Sequence, residues 1–340
     1  MAKVLLYAHD PGGANALSPL VDELESRGHD VVVYGDGPAL RFLKNARRCL
    51  ESPDDLLNRI SPDFLFTGTS ASDAREKELR VCAVARKTPC ASVLDHWVNY
   101  GARFTRYSTS ELDLDRAAPV FDRLPDYIIV MDETAKEEMA REGIPARMIY
   151  PLGNPHFDVL KSRFASLDVK DLRGRLLDGA DKLVVFASEP YTEDYGKGGE
   201  LAALQALAGI LPDGVRLVVK PHPRECKDKF KDVNAYILPQ SISSIEAIKA
   251  SDVVVSMTSM VLIESLICGR KAVSYQPDSF SKDKFILTKM GVLPFINKES
   301  ELEFFIRQVL SDDYQPKVLA VNGRSAQRII DFMEEKICQD

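Results

Sequence analysis

The sequence contains no apolar run approaching the roughly 18 residues that a membrane-crossing helix needs. Its opening, MAKVLLYAHDPGG, holds one lysine and an apolar stretch too short for the core of a signal peptide. A cytoplasmic protein without a transmembrane segment is therefore expected. Basic charge is not in excess: 44 lysines and arginines face 51 aspartates and glutamates, a net charge of −7. That balance argues against non-specific nucleic-acid binding, which needs a clustered basic footprint, though it leaves room for a local phosphate pocket. The six cysteines are scattered, with no Cys-x-x-Cys and no His/Cys run, which excludes a disulfide framework or zinc site. No Gly-x-Gly-x-x-Gly lies between a strand and a helix, so a dinucleotide cofactor is not expected. Tryptophan occurs once, at Trp97.

What is present is an ordinary globular composition, 45% hydrophobic and 28% charged, over 340 residues. That length suits two domains. Short β-branched runs alternate with longer amphipathic stretches, the pattern of parallel-sheet α/β proteins. The first half predicts strands at Lys3–Ala8, Asp30–Tyr34, Asp63–Thr67, Cys90–Leu94 and Tyr127–Met131. Helices are predicted at Ala14–Arg27, Ala39–Asn45, Ser72–Lys87 and Thr134–Glu142. The second half predicts strands at Leu183–Ala187, Arg216–Lys220, Ala235–Leu238, Val253–Ser256 and Lys271–Tyr275. Its helices are predicted at Glu200–Ile210, Ser243–Lys249, Ser259–Cys268 and Ser300–Leu310, with a closing helix at Ser325–Ile337. The proline- and glycine-bearing stretch Tyr150–Asp158 marks a boundary. The expectation is two Rossmann-like α/β domains, residues 1–155 and 156–340, whose parallel sheets face each other across a cleft. The last helix would return to the first domain.

Four segments carry candidate chemistry, each also readable as plain structure. In Val218-Val-Lys-Pro-His-Pro-Arg224 a strand ends in Lys220, and two prolines stiffen the loop around His222, with Arg224 beside it. This is either an anion site or an exposed turn. In the stretch from Ala250 to Gly269, Ser256, Thr258 and Ser259 precede a helix whose free N–H groups they can cap or share with a phosphate. Glu264, among apolar neighbours, would need a partner and could take ribose hydroxyls. After the first strand, His9 and Asp10 offer a general base or a simple turn cap, and Gly12 and Gly13 permit close backbone approach. At the exit of another strand, Asp95 and His96 precede Trp97 and Arg103, which form a polar–aromatic wall or a packed loop. Ser188 and Glu189 follow the Leu183–Ala187 strand, near the expected nucleotide or in a mere connection. Asp113-Leu-Asp115 resembles an Asp-x-Asp metal motif but lies in a polar loop with no strand before it, so no metal is expected.

At these residues the sequence resembles the GT-B superfamily. That superfamily includes glycosyltransferases, UDP-N-acetylglucosamine 2-epimerases, bacterial sialyltransferases and CDP-glycerol glycerophosphotransferases. Lys220-Pro-His-Pro223 is similar to the His-Pro element placed at the donor phosphates by the last two groups. Thr258, Ser259 and Glu264 resemble their hydroxyl pair and ribose-binding glutamate. Gly153-Asn-Pro with Asp158 resembles a stretch at the domain junction of capsule-type transferases and epimerases. Met257-Thr-Ser-Met260 departs from the epimerases' Asp-Ser-Gly-Gly, and Ile263 replaces the first of their paired glutamates.

The resemblance implies a metal-independent transferase of the glycosyl or glycerophosphoryl type, working in surface polysaccharide or glycoconjugate synthesis. Its donor would be a UDP-, CMP- or CDP-linked sugar or polyol. Its acceptor would be a glycan or lipid-linked molecule, reached from the cytoplasm or by peripheral contact with the inner membrane. His222 with Lys220 or Arg224 would stabilise the leaving phosphate, while Asp10, His9, Asp95 or His96 would activate the acceptor. The alternatives are a sugar-nucleotide epimerase or hydrolase of the UDP-GlcNAc 2-epimerase type, and a non-catalytic nucleotide-sugar-binding protein.

Overall fold

The computed structural model describes residues 1–107, 120–195, 199–277, 283–321 and 323–338. Each β-branched run becomes a strand, and every pairing between strands is parallel. The chain divides into one unit of Met1–Val159 with Asn322–Asp340, and a second of Leu160–Val321.

In the first unit the strands are β1 (Lys3–Ala8), β2 (Asp30–Gly35), β3 (Arg47–Arg48), β4 (Phe64–Thr67), β5 (Cys90–Val93), β6 (Tyr127–Ile129) and β7 (Ile149–Tyr150). Their order in the sheet is β3-β2-β1-β4-β5-β6-β7. Alternate side chains leave opposite faces of a strand, so β1 feeds two cores. Val4, Leu6 and Ala8 pack with Leu17, Leu20 and Leu24 of helix α1 (Pro11–Ser26). Leu5 and Tyr7 pack with Leu56 and Leu57 of α2 (Pro53–Ile60) and Leu79 of α3 (Ala74–Ala85). A single turn, α4 (Tyr100–Arg103), follows β5, and α5 (Glu133–Arg141) follows β6. The helix α6 (Pro155–Ser166) carries the chain out of this unit.

The second unit has β8 (Lys182–Ala187), β9 (Val215–Lys220), β10 (Tyr236–Ile237), β11 (Val253–Ser256) and β12 (Lys271–Ser274), in the order β10-β9-β8-β11-β12. Its helices are α7 (Lys170–Leu177), α8 (Tyr191–Tyr195), α9 (Glu200–Ile210), α10 (Ser244–Ala250), α11 (Met260–Ile267), α12 (Ile286–Lys289) and α13 (Glu299–Leu310). Val184 and Phe186 pack toward α9 and α13, while Leu183 and Val185 pack toward α7 and α10. The closing helix α14 (Ser325–Ile337) belongs to the first unit, where Ile329, Ile330 and Met333 join the core of β1 and α1.

Three local expectations are corrected. The segment Ala39–Asn45 is not an α-helix but a 3-10 turn over Gly37–Arg41, since Asp36 caps Gly37 and Asn45 is already left-handed at φ 59°. Helix α1 begins at Pro11, not Ala14. Proline suits a first helical position, so Gly12 and Gly13 lie in the first turn. The stretch Tyr150–Asp158 is not a loose linker: α6 starts within it, and the Asp158 carboxylate accepts from the Ser325 backbone N–H at the start of α14. Among the described residues, no helix is long and apolar enough to cross a membrane.

Candidate functional site

In a doubly wound parallel sheet, the crevice for a ligand opens beyond the carboxyl ends of the strands, where the strand order reverses. Here the reversals fall between β1 and β4 in one unit and between β8 and β11 in the other. The candidate residues cluster at both.

In the second unit, Lys220 closes β9 and is only 6% exposed. Its ammonium reaches the Pro221 carbonyl at 3.4 Å, and among the described residues no carboxylate pairs with it. Burial pulls its pKa below the ordinary lysine range. The Glu246 carboxylate opposes that shift only in part, so a buried cation not held in an ion pair remains, and an incoming anion would lower its cost. The following loop is held from behind by Glu225, a residue the sequence reading passed over. One Glu225 oxygen accepts from the His222 backbone N–H at 2.8 Å, and the other from Ser188 Oγ at 3.0 Å. The Arg224 backbone N–H donates to His222 Nδ1 at 3.2 Å, which leaves Nε2 as the proton-bearing nitrogen of a neutral ring. Gln240 Nε2 donates to the His222 carbonyl at 3.0 Å. Arg224 itself is exposed.

The hydroxyls before α11 are already engaged. Ser256 Oγ lies 2.6 Å from the Ala187 carbonyl and 2.8 Å from Glu189 Oε1. Thr258 donates to Glu189 twice, through its backbone N–H and its Oγ1, both at 2.7 Å. Ser259 caps α11 by accepting from the Val261 N–H at 3.2 Å. Glu264 is 8% exposed on α11, between the buried Leu262, Ile263, Leu266 and Ile267. Nearby, the carboxylates of Glu193, Glu200 and Glu225 converge closely enough to hold a cation, and Lys229 Nζ stands within 3.0 Å of each. The lysine is that cluster's cation, and it lifts its own pKa by the pairing.

In the first unit, β1, β4 and β5 deliver a network of carboxylates. The Asp10 carboxylate accepts from Ser70 Oγ at 2.6 Å. The Asp95 carboxylate accepts from Arg103 Nη1 at 2.6 Å and from Thr69 Oγ1 at 3.3 Å. His9 Nδ1 lies 3.6 Å from Asp73. Beneath them sits Glu76, 1% exposed, which accepts from the Ser70 N–H at 2.6 Å and the His9 N–H at 3.2 Å. It thus ties the exit of β1 to the exit of β4. Burial pushes the Glu76 carboxyl up to about 8, against the opposing pull of Arg80, 3.7 Å away. Arg80 is fully buried and donates to the carbonyls of Arg103, Arg123 and Gly68 at 2.6, 3.1 and 3.3 Å.

The site residues inferred from the sequence therefore separate. Asp10, Asp95 and His9 come together, with the partly exposed His96 on the same exit as Asp95. Gly12 gives close approach to a protein group: a Cβ there would collide with the Asp95 carboxylate. Gly13 lies against Gly68, whose Cα would be 3.1 Å from an added Cβ. Trp97 does not form an open wall. It is 8% exposed, donates through Nε1 to Asp132 at 3.1 Å and stacks on Phe157 at 6.1 Å. Arg103 is likewise buried and serves Asp95, Thr69 and the Val98 carbonyl. Asp113 and Asp115 lie outside the described residues. Glu76, Arg80 and Glu225 were missed because charged residues on helices and loops read as solvated.

No family model matches the sequence, and no curated protein matches it. Solved structures do match. The UDP-GlcNAc 2-epimerase from Neisseria meningitidis bound to UDP-GlcNAc aligns over 98% of this chain and 100% of its own, with 15% identity and a TM-score of 0.68. The enzyme of the same name from Methanocaldococcus jannaschii, in complex with UDP-GlcNAc and UDP, aligns over 98% and 99% at 16% identity and a TM-score of 0.70. S. aureus MnaA in a co-structure with UDP aligns over 99% and 97% at 12% identity and a TM-score of 0.72. These likenesses show the GT-B fold that the sequence resemblance implied. They overturn the expectation of a glycosyl- or glycerophosphoryl-type transferase, because most of the matched structures bear the name UDP-GlcNAc 2-epimerase.

Proposed function

We propose that the protein is a sugar-nucleotide epimerase or hydrolase that acts on a UDP-linked N-acetylhexosamine. The observation that carries this reading is the buried ammonium of Lys220 at the carboxyl end of β9, which among the described residues makes no ion pair. Supporting it, the His222 ring is pre-positioned with Nε2–H as a donor, and the matched structures include complexes with UDP and UDP-GlcNAc. Epimerisation by way of a released nucleotide, and hydrolysis, both break the bond between the anomeric carbon and the diphosphate. The electron pair leaves with the nucleotide, so positive groups at the phosphates lower the barrier. Lys220, His222 and Arg224 fill that role in this reading, and Glu264 takes the ribose. Asp10 and Asp95, with His9 and His96 beside them, are the candidates for proton transfer. The second unit is then the nucleotide-binding half, and no acceptor is required.

The test is a thermal-shift series with UDP, CMP, CDP, ADP, GDP and dTDP on the wild type, Glu264→Ala and His222→Ala. Proton and phosphorus NMR of a UDP-GlcNAc incubation accompany it. A ligand that binds only the folded state raises its stability by RT ln(1 + [L]/Kd). The reading expects a shift with UDP that both variants lose. It also expects either a second UDP-hexosamine, marking an epimerase, or free UDP with reducing sugar, marking a hydrolase. Absence of a shift with every nucleotide would refute it.

A further inference from the structure

The anion cradle at the second unit's strand reversal is already filled, and by the chain itself. Three features of a phosphate site meet there: backbone N–H groups of the loop before α11, two hydroxyls and a crevice at the end of β8 and β11. Into it projects the Glu189 carboxylate, from the exit of β8. Its Oε1 accepts from the Thr258 N–H and lies 2.8 Å from Ser256 Oγ, and its Oε2 accepts from Thr258 Oγ1. The backbone N–H of Met257 faces it as well. Tyr191 OH, 2.9 Å from Thr258 Oγ1, completes the ring of hydroxyls. The adjoining strand ends in Lys220, the register partner of Ala187.

We propose that Glu189 is an internal stand-in for the ligand's phosphate: it occupies the donors of the loop between β11 and α11 in the free protein, and a nucleotide must displace it to bind. This rests on the nucleotide-binding reading above and deepens it, by naming the residue that sets the affinity and the selection between phosphate-bearing and phosphate-free ligands. The donors that hold Glu189, two peptide N–H groups and two hydroxyls, are those a phosphate oxygen would accept from. Bound there, a phosphate would send the Glu189 carboxylate outward. The single Ser256 hydroxyl proton faces two acceptors, the Ala187 carbonyl and Glu189 Oε1, and a phosphate oxygen in place of the carboxylate would share it in the same way.

When the competent state is a minority, the apparent affinity falls by its fraction, so opening the cradle permanently restores it. Isothermal titration of UDP and of uridine into the wild type, Glu189→Ala and Glu189→Gln tests this. Expected is UDP binding tighter by about 10-fold or more in Glu189→Ala, a smaller gain in Glu189→Gln, and uridine affinity equal in all three. Glu189→Gln keeps the side-chain volume and covers the case in which Glu189→Ala does not fold. UDP affinity that is unchanged, or weakened together with uridine, overturns the proposal and makes Glu189 a brace for the loop. If the wild type binds UDP and the variants do not improve, only this inference falls. If no form binds UDP or uridine, the nucleotide-binding reading falls and takes this one with it.

Discussion

Arg80 lends itself to a quantitative test, because three separate stretches of backbone depend on one buried guanidinium. Replacing it by methionine keeps the unbranched alkyl chain against the Phe104 ring, over which the guanidinium carbon now sits at 5.3 Å. What goes is the hydrogen bonding to the carbonyls of Gly68, Arg103 and Arg123. Each buried carbonyl left without its donor costs about 1–3 kcal/mol. Glu76, held up to about 8, already carries its proton at neutral pH and is not left as a buried anion. A net loss of about 5 kcal/mol is expected, a large share of a domain's usual ~5–15 kcal/mol. For a unit of this size that corresponds to a Tm lower by about 10–20 °C. The single tryptophan makes the assay selective, since Trp97 lies buried in the first unit and its fluorescence in urea follows that unit alone. Arg80→Lys, which keeps the charge but not the three-way fork, should recover only part of the loss. A midpoint for Arg80→Met within about 1 kcal/mol of the wild type would refute the reasoning, because surface substitutions commonly cost that little.

Further outcomes follow from the same geometry. Gly12→Ala pushes a methyl group into the Asp95 carboxylate; turnover should fall about 100-fold with UDP affinity retained, measured by NMR turnover and titration. Lys220→Met removes a buried charge that makes no ion pair among the described residues, so the ligand-free protein should melt no lower than the wild type. If it also weakens UDP 100-fold, the stabilisation at 100 times the wild-type Kd drops from about 2.7 to about 0.4 kcal/mol, which a thermal-shift titration resolves. Glu76 is held up to about 8 in the fold against 4.5 as its ordinary value, so the folded state carries the extra proton between those limits. Its contribution is complete below pH 4.5 and is lost as pH rises toward 8, by at most about 1.4 kcal/mol per pH unit. Urea midpoints across that window should slope less in Glu76→Gln.

The strands were legible because a sheet buried on both faces demands continuous apolar, β-branched runs; Lys3–Ala8 and Val253–Ser256 stand where the pattern put them. The helices α2 and α7 were not, since eight residues carry too few turns to declare a period, although Ser52 before Pro53-Asp54-Asp55 is a cap signal. Proline and glycine at positions 11–13 suggested a loop, yet proline is at home in a first turn and the two glycines are there to let Asp95 and Gly68 approach. Candidate site residues could be named at strand ends, where Asp10, Asp95 and His222 follow strands and Lys220 closes β9. The supporting shell was not. Glu76 and Arg80 sit four apart on a helix and look like a solvated surface pair; only the three-dimensional fold shows that they lie beneath two strand exits. Nor could spacing reveal that the Ser256 and Thr258 hydroxyls, ready for a phosphate in the sequence, are taken up by a glutamate some 70 residues earlier.

The first unit is discontinuous: its final helix arrives only after the whole of the second unit has been traversed. During synthesis, which delivers the chain from its N-terminus, β1 to β7 leave the ribosome with the groove over α1 and β1 uncovered, lacking Ile329, Ile330 and Met333. The second unit, continuous in sequence, has all its strands and can close first. For that interval the nascent chain exposes an apolar strip that a chaperone would recognise. A ribosome stalled before Ser325 would hold a finished second unit beside a first unit still missing one wall.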